Sequence, residues 1–186
     1  MRFNQPSPRT PSARAFVLLA VLLLVGGVRA EVLMERDEAL ATAFPEAEVA
    51  KRILYFSDAE RARVEELARA PMDSGLFTAY VARRDGAVAG YAFIDTRTVR
   101  SKAATFMVVL GPGGEVRSTR ILAWQEPPEY QPPERWLAQF DGGRLDAGLE
   151  AGEDIHAMSG ATLSTRVLTE GVRRVAAIHR IKLAGD

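Results

Sequence analysis

The chain contains no cysteine and only two histidines among its 186 residues. The first absence excludes disulfide bridges, a thiolate nucleophile, cysteine-held iron–sulfur clusters and CxxCH haem attachment. The second leaves His156 and His179, too few for a histidine-rich metal site. Any redox chemistry must therefore be carried by an organic cofactor. An excess of charge of one sign is missing too: 24 Lys and Arg stand against 24 Asp and Glu. Without a basic surplus there is no electrostatic footprint for nucleic acid. No G-x-G-x-x-G follows a strand-like segment, which argues against a dinucleotide fold. The sequence holds no internal repeat and no low-complexity segment.

Long hydrophobic runs are scarce as well. The apolar stretch Ala15 to Val28 has 14 residues, short of the roughly 20 that span a bilayer as a helix. It follows Arg2, Arg9 and Arg14 and precedes Val28-Arg29-Ala30. This order of basic, apolar and small-residue regions predicts a secretory signal over residues 1–30, with an uncleaved anchor as the alternative. The n-region lacks a paired Arg-Arg, and there is no cysteine for lipid attachment. The expected location is periplasmic or otherwise extracytoplasmic, membrane-tethered if the signal is retained. Residues 31–186 then form a single domain of 156 residues, enough to bury a core. All four arginines of the leader are removed with it, so this portion has 20 basic and 24 acidic residues.

Periodicity predicts a mixed domain. Arg36 to Phe44 reads as a short helix ended by Pro45, and Val49 to Phe56 as a strand. Ser57 with Glu60 three residues later forms a capping box, opening a helix that runs to about Ala70 and stops at Pro71. Its apolar positions Val64, Leu67 and Ala68 share one face. Leu76 to Arg83, Val88 to Thr98, Ala104 to Leu110 and Val116 to Trp124 read as four strands. Arg84-Asp85-Gly86 is the hairpin signal between the first two, and Gly111 to Gly114 a later turn. Gln125 to Arg135 carries four prolines and reads as a rigid loop. Glu134 to Phe140 suggests a short helix, broken at Asp141-Gly142-Gly143, and Asp154 to Ser159 an extended segment. Thr165 to Leu183 is the final helix. Leu168, Val172, Val175 and His179 form its apolar stripe, with Arg173, Arg174, Arg180 and Lys182 mostly directed elsewhere. The expected class is α+β: an antiparallel meander packed with helices.

Just before that last helix stands Ser159-Gly160-Ala161-Thr162. Small residues, a hydroxyl and backbone N–H groups at a helix start suit a phosphate, because the first N–H groups lack intrahelical partners and the dipole favours an anion. Thr162 adds an oxygen able to form a phosphoester. The plainer alternative is a helix cap, with Thr162 or Ser164 satisfying one orphan donor.

This segment, with Leu163-Ser164-Thr165 and the following Val167, Leu168 and Val172, resembles the FMN-binding domain family, the RnfG-, NqrC- and NosR-type flavin carriers of bacterial redox complexes. The resemblance implies FMN as cofactor, held by a phosphoester to Thr162, with Ser159, Gly160 and Ala161 around it. It implies a flavin transferase for maturation and membrane or periplasmic redox partners. It also implies an electron-transfer protein rather than a substrate-converting enzyme. The strict motif covers residues 156–162. In the family pattern an Asp stands six residues before the modified Thr; here that position is His156, and the nearest acid is Asp154. This departure bears on recognition by the transferase and the covalent bond rather than on the flavin pocket. The family's loop resembling His-x-Glu-Thr-Pro-Gly is matched at Glu126 and Pro128.

Other residues complete the expected site. The loop after Trp124 serves as a wall of the isoalloxazine pocket, with Trp124 or Tyr130 near the ring. Alternatively Trp124, Tyr130 and Trp136 pack the loop onto the core. His156 is a candidate partner for flavin ring or phosphate, and Arg166 for phosphate charge. Thr98 and Ser101-Lys102 are within reach of a ligand in principle, and His179 reads as structural. Rival functions are a non-redox binding module for a phosphorylated or anionic ligand at residues 159–162, a flavin transferase or reductase-like enzyme, and an exported structural protein with a decayed motif.

Overall fold

The computed structural model describes Met1 and residues 31–185; the expected signal over residues 1–30 lies outside the described residues apart from Met1. The strands are β1 (Glu31–Val32), β2 (Glu48–Tyr55), β3 (Leu76–Arg84), β4 (Ala87–Thr98), β5 (Ala103–Leu110) and β6 (Val116–Trp124). They form one antiparallel sheet in the order β1-β6-β5-β4-β3-β2. Five consecutive strands make the meander. The two-residue β1, absent from the sequence reading, adds to the free edge of β6. Asp85 and Gly86 join β3 to β4 with φ of 51° and 80°. Two positive φ values are what a tight I′ hairpin requires, and Asp-Gly supplies them.

Helices cover both faces. On one side α1 (Arg36–Ala43) lies on a small core of Leu40, Phe44, Ala92, Met107, Val109 and Leu122. The other side holds the main core, built from Phe93, Phe106, Val108, Leu110 and Ile121 of the sheet. Against it pack α2 (Asp58–Ala68), α3 (Glu134–Leu137) with its 3₁₀ continuation Ala138–Phe140, and α4 (Thr162–Lys182). The capping box of α2 is present: the Ser57 side chain accepts from the Glu60 N–H and the Glu60 carboxylate from the Ser57 N–H. The architecture is α+β, as expected.

The last helix differs from expectation in its start and in the surroundings of its arginines. The last helix begins three residues earlier than its periodicity suggests, at Thr162, which puts the end of the motif inside its first turn. Arg173 and Arg174 do not face solvent; both are buried. Residues 171–179 of α4 are buried without interruption, because α2 and the segment around Leu149 and Ile155 cover the side away from the sheet. A helical wheel that assigns one wet face fails for a helix enclosed on two sides. The two guanidiniums are satisfied instead. Arg173 donates to the Ala68, Leu67 and Leu149 carbonyls at 3.0, 3.1 and 3.2 Å. Arg174 donates to the Pro71 carbonyl and to Asp95, both at 2.8 Å.

Candidate functional site

Thr162 is exposed and is the first residue of α4. The N-cap position is Ala161, which offers no side-chain acceptor. The capping alternative is therefore not what the motif does. Ser164 turns away and donates to the Tyr130 carbonyl at 2.7 Å. The first-turn N–H groups thus have no side-chain acceptor from the cap position, at a helix start with its positive dipole end and beside the exposed Thr162.

The turn before Thr162 is fixed from both ends. Gly160 has φ +77°, and no atom lies within 4 Å of where its Cβ would be. Glycine is demanded there by the backbone rather than by crowding. Ala161 donates to the Met158 carbonyl at 3.1 Å. Thr165 Oγ1 accepts from the Met158 N–H at 3.0 Å and donates to the Ala161 carbonyl at 3.3 Å. Thr165 thus holds the motif loop on the helix, a role that the sequence reading did not assign; its place three residues after Thr162, facing the core, was the available signal. Ser159 and Gly160 are exposed and Ala161 is buried.

His156 sits on the approach to this turn with its imidazole side exposed. Its backbone is tied at both groups: the N–H donates to Gln139 Oε1 at 3.0 Å, and the carbonyl accepts from Trp136 Nε1 at 2.7 Å. Asp154 closes its own turn by accepting the Glu150 N–H at 2.9 Å. His179 is buried at the far end of α4, edge-on to Tyr91 with ring centroids 5.0 Å apart.

A groove of about 540 Å³ opens beside the first turn of α4, lined by Arg100, Ser101, Lys102, Glu126, Pro127 and Leu163. Leu163, next to Thr162, is 39% exposed and offers an apolar surface there. The turn 99–102 between β4 and β5 and the exit of β6 supply the rest. Glu126 accepts three backbone N–H bonds, from Arg100, Ser101 and Lys102, all on Oε1 at 2.7–2.8 Å. Burial disfavours its ionised form, but the N–H groups of Ser101, Lys102 and Arg100 and the Arg100 charge outweigh it and hold the carboxyl below its ordinary range. Trp124 is buried in the main core and donates its Nε1 to the Pro127 carbonyl at 3.2 Å, which ties the proline loop to β6. Trp136 is likewise core, edge-on to Phe140. Tyr130 is the aromatic of the loop with an open partner: the Arg100 guanidinium lies 4.4 Å from its ring centroid.

On the other flank of the same helix start is a second groove of about 370 Å³, lined in part by Arg97, Thr98, Arg166 and Glu170. Its floor is an ion-pair chain: Arg174 to Asp95 at 2.8 Å, Asp95 to Arg97 at 3.0 Å, and Arg97 to Asp73. Arg166 is exposed and lies 3.6 Å from Glu170. Of the residues weighed from sequence, Thr162, Ser159 and Gly160 share the exposed turn. Glu126, Ser101 and Lys102 share the first groove, and Thr98 and Arg166 the second.

The residues present suit FMN. An uncapped helix start accommodates a phosphate. The first groove falls within the 300–1,000 Å³ range of cofactor sites, and it combines an apolar residue with two cations. No curated protein matches this chain. Residues 100–177 match the family model of the FMN-binding domain. That span opens on the 100–102 turn and takes in Glu126, Tyr130, the motif turn and most of α4. This match identifies residues 100–177 as an FMN-binding domain, with FMN as its cofactor.

Proposed function

We propose that the protein is an exported electron carrier whose single FMN is joined to Thr162 by a phosphoester. The observation that carries this reading is an exposed threonine hydroxyl on the first residue of a helix without a side-chain cap, beside a groove lined by Leu163 and two cations. A modifying enzyme needs a hydroxyl it can reach, and Gly160 leaves the space above the turn open. The first-turn N–H groups would hold the phosphate, and Arg100 and Lys102 would offset its anionic charge. FMN supplies reversible electron transfer through its isoalloxazine ring. The chain's residues bind it, orient it and wall one side of it, while an open groove keeps it within reach of redox partners. A covalent link suits a carrier outside the cytoplasm, where a dissociated cofactor is lost. A flavin transferase would mature the protein, and partners in the membrane or periplasm would exchange electrons with it.

The test is a denaturing gel and an intact mass on protein exported from a host that makes a flavin transferase. Condensing the Thr162 hydroxyl with the FMN phosphate releases one water, so the expected adduct has the mass of FMN less one water. The expected band fluoresces, and Thr162→Ala darkens it while the fold persists. Fluorescence surviving denaturation in Thr162→Ala would move the link elsewhere. A dark wild-type band from yellow native protein would mean FMN held without a covalent bond.

A further inference from the structure

Successive backbone N–H groups that converge on one point form a nest, a concavity suited to an anion. The N–H groups of Arg100, Ser101 and Lys102 converge in this way, and the anion they meet belongs to the chain itself: Oε1 of Glu126, at 2.8, 2.7 and 2.8 Å. Glu126 is 6% exposed, where a charge is sustained only by such partners. Charge-assisted bonds of this kind are the strong ones. The turn is also closed by the Val99 N–H on the Lys102 carbonyl at 3.0 Å. Its outer side continues into the site: Arg100 lies over the Tyr130 ring, and the Tyr130 carbonyl accepts from Ser164 in the first turn of α4. One carboxylate thus joins the exit of β6 to the β4–β5 turn, and through Arg100 and Tyr130 to the start of the helix that bears Thr162.

We infer that Glu126 is the positioning residue of the flavin groove: it locks the 99–102 turn so that Arg100 and Lys102 stand as fixed cations on the groove wall beside Leu163. This rests on the groove being where FMN lies and assigns Glu126 a part in it. Glu126 acts through the backbone of residues 100–102. Without it three N–H groups lose their acceptor, the turn opens, and the two cations no longer hold one place relative to the cofactor. A preformed wall binds more tightly than one that must be ordered on binding.

The experiment uses the full chain made without a flavin transferase, as wild type, Glu126→Gln and Glu126→Ala. Amide hydrogen exchange is read without flavin, and FMN is then added while flavin fluorescence and visible circular dichroism are followed. In Glu126→Ala, exchange at residues 100–102 rises about tenfold or more while α4 and the central strands stay protected. FMN affinity falls about tenfold, and the circular dichroism of the bound flavin changes. Glu126→Gln keeps one accepting oxygen and falls between; if the Ala variant does not fold, the Gln variant decides on the same readouts. Unchanged exchange at 100–102 would overturn the latch. Faster exchange with wild-type affinity and an unaltered flavin signal would overturn its role in the groove while leaving the groove as the flavin site. Wild-type FMN affinity in both Arg100→Ala and Lys102→Ala would place the flavin elsewhere and overturn both the groove as the flavin site and the part of Glu126 in it.

Discussion

His156 has both backbone groups engaged, by Gln139 and by Trp136, while its side is exposed. A substitution there changes the surface that a modifying enzyme meets without loosening the loop. His156→Asp is therefore expected to raise the flavinylated fraction in a host with a flavin transferase and to leave the melting temperature unchanged, as read by intact mass and a thermal melt. An unchanged or lower fraction would show His156 to be fully compatible with modification. The motif around it was readable because its residues are contiguous. Thr162 and Gly160 needed only local reasoning about helix starts and φ. Glu126 was visible only as one match in a loop pattern, since its partners lie 24–26 residues upstream. They reach it only once β4, β5 and β6 are in register. Arg100 carries no local signal for the same reason, although it stands between Thr98 and Ser101-Lys102.

The elements themselves were mostly legible. Alternation in β4, a nearly continuous apolar run in β5 and the turn residues between strands marked β3 to β6, and the Ser57–Glu60 capping box marked α2, because those signals act over a few residues. What the chain does not announce locally is that α4 is covered on two sides. Arg173 shows why a buried arginine belongs there: its guanidinium meets the Leu67 and Ala68 carbonyls, the last of α2, where orphan acceptors and the negative dipole end favour a cation. Gly171 marks the other contact. A Cβ on it would stand 2.4 Å from Phe106 Cζ, inside contact distance, and the Phe106 ring is fully buried. Gly171→Ala gains up to about 1 kcal/mol of helix propensity, but overpacking a filled core costs about 1–3 kcal/mol. Net destabilisation is expected, and it should be largely relieved in Gly171→Ala/Phe106→Leu, where the shorter side chain makes room. A double-mutant cycle by chemical denaturation measures this; additive effects would mean the helix shifts rather than presses on Phe106.

Across the whole molecule, the helical layer over the main core is closed by contacts between α2 and α4, which lie far apart in sequence. At one end Arg173 joins them; at the other, Lys182 in the last turn of α4 pairs with Glu60 in the first turn of α2. The same Glu60 carboxylate accepts the Ser57 N–H at 2.8 Å and the Ser57 hydroxyl at 2.9 Å. The Lys182 bond first, and then the Ser57 bonds, lower its pKa from 4.5 to about 2. A carboxyl whose pKa falls on folding stabilises the fold fully above its unfolded value and loses that contribution as pH drops through its folded one. The Glu60 contribution should thus be intact above about pH 4.5 and decline towards pH 2. Glu126, also held below its ordinary range, acts with the same sign, so acid should loosen the groove wall along with the helical layer. Melting temperatures of wild type and Glu60→Gln are expected to differ most near neutral pH and to converge between pH 4.5 and 2. High salt should narrow the gap at neutral pH, because the pair is partly exposed and screened. A gap constant across that range would mean that Ser57 capping, which the amide oxygen of Gln can partly replace, matters less than side-chain packing at this end of α2. The tie between α2 and α4 would then rest on Arg173, whose bonds to the Ala68 and Leu67 carbonyls carry no titratable acceptor.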